Sequence, residues 1–348
     1  MKERAGALAA YGATIGASFA IGPLVGGALT TGLDWQWIFL INIPIGLFCI
    51  WITRAKVQES RDPATPPVDV PGQVTLTGGL FLLVLALLRG NEQGWGSTAI
   101  IAELAGAAVL LIAFLVIEAR STHPMLPLRL FRNPSFTGAQ IAAFGISASF
   151  FAVFLYATLY LQQVLGLSAI EAGLVYLPGT ILNFVVAGAT SQVSEKVSAR
   201  IMVSVGLALV AIGMLLLTIP GVDSSWTAVL PGLLVGLFGV GLFNPSVIAV
   251  ALGSVPVEQS GLAAGVNDTF RQAGIAVGVA GLGALIPTGA GLGAGNPHEF
   301  VDGLHNAMFA GAGLAAVSAV AAFFLIRNFG HQHQVVEVPG EVALAEAA

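Results

Sequence analysis

Charge is what this sequence lacks most. Of 348 residues, 9% are Asp, Glu, Lys or Arg, 56% are hydrophobic, and mean hydropathy is +0.89. A soluble domain carries about 25% charged residues. So few charges cannot keep a surface of this size in water, and the chain reads as an integral membrane protein. Cysteine is almost absent: Cys49 alone excludes an internal disulfide, and its apolar neighbours make it a packing residue. Strand-like alternation is missing, which excludes a transmembrane barrel. The sequence also lacks a Walker A pattern, a nucleophile elbow, a metal cluster and a paired-carboxylate motif. No enzyme activity, cofactor, metal or nucleic-acid partner is therefore expected.

What the sequence has is long apolar runs. A spanning helix needs about 20 mostly apolar residues. Ten such stretches are read at about 5–31, 37–53, 73–89, 98–118, 134–161, 169–192, 200–219, 226–250, 259–286 and 303–327. If the N-terminus is cytoplasmic, Lys2, Arg4, Arg54, Lys56, Arg61, Arg120, Arg129, Arg132, Lys196, Arg200 and Arg327 all fall on that side. Only Arg89 falls outside, and Arg271 falls within a span. The positive-inside rule thus supports the count, with both termini cytoplasmic in the cell membrane. The first run is too long, and too broken by Pro23, Gly26 and Gly27, for a signal peptide. Residues 54–72 read as a polar linker and residues 287–302 as a Gly-rich external loop. That loop has alternating glycines, but no strand precedes it and no helix follows directly, so it is not a nucleotide site. The tail, 328–348, is polar, and His331 and His333 within it read as solvated residues.

One stretch of the first span is unusual: "SFAIGPLVGGAL", with Ser18, Gly22, Pro23, Gly26 and Gly27. Small residues four apart let helix backbones approach closely in lipid, and neighbouring helices satisfy the carbonyl freed by proline. The segment "DWQWIFLINIPIG" follows. Further on come "FRNPSFTGAQ", "YLQQVLGLSAIEAGLVYLP" and "GLAAGVNDTFRQAGIAVGVAG". In this order and spacing they resemble the antiporter signature and the later helices of the major facilitator superfamily, more narrowly its fourteen-helix drug:proton antiporters. The signature helix is normally the fifth, but here it is the first, so the chain resembles the last ten helices of fourteen. The first helix of that family, with its embedded acid, has no counterpart here, and Gln36 stands where the family usually has arginine. A degenerate echo of the family's loop between its second and third helices remains at Ser191, Glu195, Lys196, Ser198 and Arg200.

Ionisable groups at membrane depth are functional candidates by default. Arg271 lies about twelve residues into its span, near 18 Å through a hydrocarbon core of about 30 Å. Asp268, three residues earlier, is placed to pair with it, and Asn267 and Gln272 add polar surface. A structural pair and a coupling role both fit this pattern. Gln140, Phe150, Phe154 and Tyr156 share one span and are candidates for an apolar cavity with polar handles, although packing fits each aromatic equally well. Glu103 is placed to snorkel at a span end, Ser168 and Glu171 form a capping box, and Asp34 reads as a local cap. Gly232/Gly236, Gly261/Gly265 and Gly274/Gly278 read as helix-packing pairs.

The resulting expectation is an all-α membrane protein of about ten helices, a partial major facilitator fold with one complete six-helix bundle. Residues 1–53 would be the remnant of an N-terminal bundle, 54–72 a linker, 73–132 two extra helices and a loop, 133–327 the six-helix bundle, and 328–348 a tail. The resemblance implies proton-coupled multidrug efflux of small apolar or cationic compounds by alternating access, from an N-terminally truncated carrier. A non-transporting fragment, or a subunit of a split carrier whose remaining helices come from another chain, is the alternative. In either case Gly22, Gly26 and Gly27 are expected to lack close partners. The topology has a direct test in a Cys49-free background. Cysteines at Thr65 and Ser194 should resist an impermeant thiol reagent in intact cells, while those at Ser224 and Asn296 should react; external labelling at Thr65 would reverse the orientation.

Overall fold

The computed structural model describes residues 18, 21–22, 24–57, 67–194, 196–287 and 296–327. These form ten helices and no strand. We number them α1 (24–32), α2 (Trp37–Lys56), α3 (Val70–Gln93), α4 (Thr98–Arg120), α5 (Pro134–Val164), α6 (Ala169–Val193), α7 (Ala199–Leu216), α8 (Leu230–Gly253), α9 (Ser260–Gly283) and α10 (Pro297–Leu325). Eight are long and apolar enough to cross a membrane; α9 is long enough, but the polar run Asn267–Gln272 lowers its hydropathy. The chain is thus an all-α membrane protein.

Local chemistry sets the helix ends. Asn133 caps α5 by accepting from the Ser135 N–H at 3.0 Å, and Pro134 supplies the first helical residue, where no N–H is needed. The Asn133 amide also donates to the Ser254 carbonyl at 2.9 Å, tying the start of α5 to the end of α8. Ser168 and Glu171 form the expected capping box of α6. Gly94 and Gly166, with φ of 83° and 69°, take the left-handed turns that end α3 and α5. The start of α2 has no side-chain cap, and Asp34 accepts from the Trp37 N–H through its backbone carbonyl.

Successive helices run antiparallel. Arg120, Arg129, Arg132, Lys196, Arg200 and Arg327 gather at one end, called here the basic end. Two contacts show this gathering: the Arg327 N–H donates to Ser135 Oγ, and the Arg200 guanidinium lies 3.9 Å from the centre of the Phe323 ring. Arg89, the outlier at the opposite end, forms an ion pair with Glu103 across the α3–α4 hairpin.

The core is drawn from α5 to α10 and includes Ile146, Tyr176, Leu207, Leu233, Phe243, Phe300 and Met308. Its tightest seam joins α7 to α8. A Cβ on Gly206 would stand 2.7 Å from the Gly239 carbonyl oxygen, and one on Gly213 would stand 2.6 Å from the Gly236 nitrogen. Pro245 interrupts α8 and leaves the Gly241 carbonyl without its helical donor. The Thr190 hydroxyl of α6, which donates to the Val186 carbonyl of its own helix at 2.7 Å, shares its proton with that carbonyl at 3.2 Å, and Asn183 donates to the Leu237 carbonyl one turn earlier. Helices α3 and α4 pack on each other through glycines under leucines, Gly79 on Leu111 and Gly106 on Leu82. Asn91 then fastens α3 to the end of α9 by donating to the Ala284 carbonyl at 2.6 Å. Helix α2 buries none of its residues.

Two substitutions should separate seam from surface. Gly213→Leu faces backbone, which cannot give way, and should abolish a monodisperse peak in detergent size-exclusion chromatography. Gly253→Ala, with nothing within 4 Å of the added carbon, should leave that peak unchanged. Thr190→Val should lower the melting temperature modestly, by about 0.5–1 kcal/mol of stability, as one interhelical hydrogen bond is lost.

Candidate functional site

The rotation of α9 decides where its polar residues face, and glycine decides the rotation. Gly274 and Gly278 press on a π-type turn of α5 at Ser147–Phe151: added Cβ atoms would stand 2.7 Å from the Phe144 carbonyl oxygen and 2.3 Å from that of Ala148. With this backbone contact fixed, Ala263, Val266 and Asn267 turn inward. The Asn267 amide donates to Gln140 Oε1 at 3.1 Å, and both side chains are buried. Two candidates taken separately from the sequence therefore meet in one interhelical bond.

The opposite face of α9 carries Gly261, Gly265, Asp268 and Gln272, all exposed. Their spacing puts them on one stripe. Nothing lies within 4 Å of a Cβ added to Gly261 or Gly265, so this expected packing pair has no packing partner among the described residues. Arg271 is half-buried beside the stripe. The expected Asp268–Arg271 ion pair does not form: among the described residues the one ion pair is Arg89–Glu103. Residues three apart lie on neighbouring lines of a helix, and here one line faces outward while the other turns toward the bundle.

The aromatic candidates lie among packed helices rather than around one open space. Phe150 fills the gap above Gly236, whose added Cβ would stand 2.5 Å from its ring. Phe154 stacks on Tyr176 with centroids 4.1 Å apart, and the Tyr156 hydroxyl donates to the Val279 carbonyl of α9. Clefts of about 660 and 530 Å³ lie elsewhere, at the basic end of α3 and α4.

Of the signature residues, Pro23 lies outside the described residues, and Ser18 and Gly22 are exposed. Gly26 has nothing within 4 Å of an added Cβ, as expected. Gly27 does not fit that expectation: it is buried, and its Cβ would stand 2.7 Å from the Ala169 carbonyl oxygen and 2.8 Å from the Ile170 Cα. The signature helix thus touches the first turn of α6 at backbone distance. The sequence reading also missed Thr190 and Asn183 as donors to α8. The signal was present in Pro245, whose freed carbonyl requires a donor from a neighbouring helix.

Comparison with known proteins fits this geometry. The chain is 34% identical to the cephamycin export protein of Amycolatopsis lactamdurans over 81% of its own length and 59% of that relative. It is 35% identical to the probable actinorhodin transporter of Streptomyces coelicolor, over 82% of this chain and 51% of the relative. It is 28% identical to the multidrug transporter protein MdtP of Bacillus subtilis, over 82% and 53% respectively. The chain therefore spans about half the length of the curated relatives it matches. Residues 1–279 match the profile of one family, and with the helical architecture this shows that the chain belongs to the Major Facilitator Superfamily.

Proposed function

We propose that this chain provides the C-terminal ten helices of a proton-coupled efflux carrier for small apolar or cationic compounds. The observation that carries the reading is the exposed polar stripe of α9. The exposed surface of other helices is apolar, with Ile43, Leu47, Trp51, Val109, Val317 and Phe324 all exposed, as lipid contact requires. Asp268 and Gln272 facing hydrocarbon would be costly. A stripe of two glycines, a carboxylate and an amide instead suits a seam against a second helical bundle, or a wet path beside it. The relatives extend beyond the matched region by about half of their length, and that remainder is the natural cover. Gly27 rests on the first turn of α6, so the signature helix also meets the bundle at backbone distance. Helices α5–α10 would be the six-helix bundle, α3 and α4 the extra pair, and α1 and α2 the part of the opposing bundle held in this chain. Positive-inside placement puts the basic end, with both termini, in the cytoplasm of a cell membrane. The substrate class rests on relatives named for export of antibiotics and multiple drugs.

Two measurements test this. In proteoliposomes with an imposed pH gradient, the 348-residue chain alone should give no drug-dependent proton flux. Co-expression with the first four helices of a relative, as a separate chain, should supply it; flux from the chain alone would refute the need for a cover. In the covered assembly, Asp268→Asn should cut flux about tenfold or more, equivalent to at least about 1.4 kcal/mol of barrier, with expression unchanged. Expression should hold because Asp268 is exposed and in no ion pair. Unchanged flux would remove Asp268 from the account.

A further inference from the structure

Two carboxylates that the transport reading does not use meet at the basic end of the α3–α4 hairpin. Asp69 is the N-cap of α3: one oxygen accepts from the Gly72 N–H at 2.9 Å, while the other, Oδ2, is buried and has no partner. Glu118, two residues before the end of α4, is only 3% exposed. Its Oε2 accepts from the Leu126 N–H at 2.9 Å, and its Oε1 is buried without a partner. A Cβ on Gly72 would stand 2.8 Å from Asp69 Oδ2 and 2.9 Å from Glu118 Oε1. The two unpartnered oxygens therefore converge on one point, no more than about 6 Å apart, within the range where like charges oppose each other's ionisation. Glycine at position 72 is what leaves that point empty.

We propose that Asp69 Oδ2 and Glu118 Oε1 bind one proton between them, as a carboxylic acid donating to a carboxylate. A shared proton removes one of two buried negative charges and gives both orphaned oxygens a partner at once. A metal ion fits less well, because no group of three or more His, Cys, Asp or Glu is placed to hold one among the described residues. The other titratable and charged groups in the adjoining clefts are His123, Arg129 and Arg120, and none forms an ion pair with either carboxylate. The site fastens two connections. Asp69 holds the chain entering α3, and Glu118 holds the α4–α5 connection through Leu126. Loss of the proton sets two buried charges against each other and loosens both. This site is distinct from the α9 stripe and does not rest on the transport reading.

The test uses the full chain in detergent and in liposomes. Infrared difference spectra across a pH titration should show a protonated-carboxyl C=O band that is lost on deprotonation and is absent from both Glu118→Gln and Asp69→Asn. Each variant keeps its backbone bond, because the amide oxygen still accepts, so at least one should remain folded. In a Cys49→Ala background, a cysteine at the exposed position Thr122 should gain reactivity with rising pH more steeply than ionisation of its own thiol accounts for. In Glu118→Gln, whose neutral amide donates permanently to Asp69, its reactivity should rise only as its own thiol ionises. Gly72→Ala, which fills the meeting point, should remove the band. A wild type without the band, or Thr122 labelling with the same pH profile in wild type and Glu118→Gln, would overturn the proposal. So would manganese or calcium restoring low reactivity at high pH, since that would assign the site to a metal.

Discussion

Inside a bilayer, a backbone carbonyl that loses its helical donor has no water to turn to, and the rest of this structure follows from that constraint. Most carbonyls are satisfied within their own helices, which is why the described residues contain helices and no strand. Where proline breaks a ladder, another helix must supply the donor. Pro245 therefore requires something like Thr190, and Thr190 can reach Gly241 only because α6 and α8 lie close together. They can do so because Gly241 packs beneath Asn183 and Val186 with no side chain of its own. One sequence choice, a proline in the middle of α8, thus commits a hydroxyl, a glycine and the spacing of two helices. The α7–α8 seam follows similar logic with glycine alone, because lipid provides little hydrophobic drive between helices and close backbone contact must substitute for it.

Side-chain polarity follows the same rule with more freedom. Arg89 and Glu103 answer each other across a hairpin, in a partly exposed pair that contributes about 1 kcal/mol or less. Gln140 and Asn267 answer each other deep between α5 and α9. Asp268 and Gln272 answer nothing among the described residues, and Asp69 and Glu118 face each other with the same sign. These last two cases differ physically. The first is an exposed stripe that a neighbouring surface can complete. The second is a buried meeting of like charges that only a small cation, or a proton, can relieve.

The fold was readable in the sequence because apolar run length and basic-residue alternation both report directly on a membrane. Each of the ten stretches corresponds to a described helix. The capping box at Ser168 and Glu171 was readable because it is local. What stayed hidden depends on helix rotation. Asp268 and Arg271 look like partners on a helical wheel; whether they pair is fixed by Gly274 against Phe144 and Gly278 against Ala148, contacts with no trace in the spacing of charges. Phe150 and Phe154 share a face by periodicity, but whether that face meets a cavity or Gly236 and Tyr176 depends on neighbouring helices. Glu118 carried no signal in the sequence, because Asp69, the acid it meets, lies at the far end of the α3–α4 hairpin in sequence and beside it only once the hairpin is folded.

Helix α9 brings these considerations together. Its inner side is held at backbone distance by Gly274 and Gly278 and locked by Asn267 on Gln140, so the helix cannot roll without breaking a buried hydrogen bond and opening a packed seam. Its outer side offers two glycines with free space above them, then a carboxylate and an amide. A helix fixed on one face presents the other at a defined angle. Small residues on the presented face allow an approaching helix to come as near as Ala148 does on the inner face. The same residue type thus serves a permanent contact at positions 274 and 278 and an open one at 261 and 265. What separates the two is the residue beside them: Asn267 finds its amide partner inside the bundle, while Asp268 lies on the exposed side.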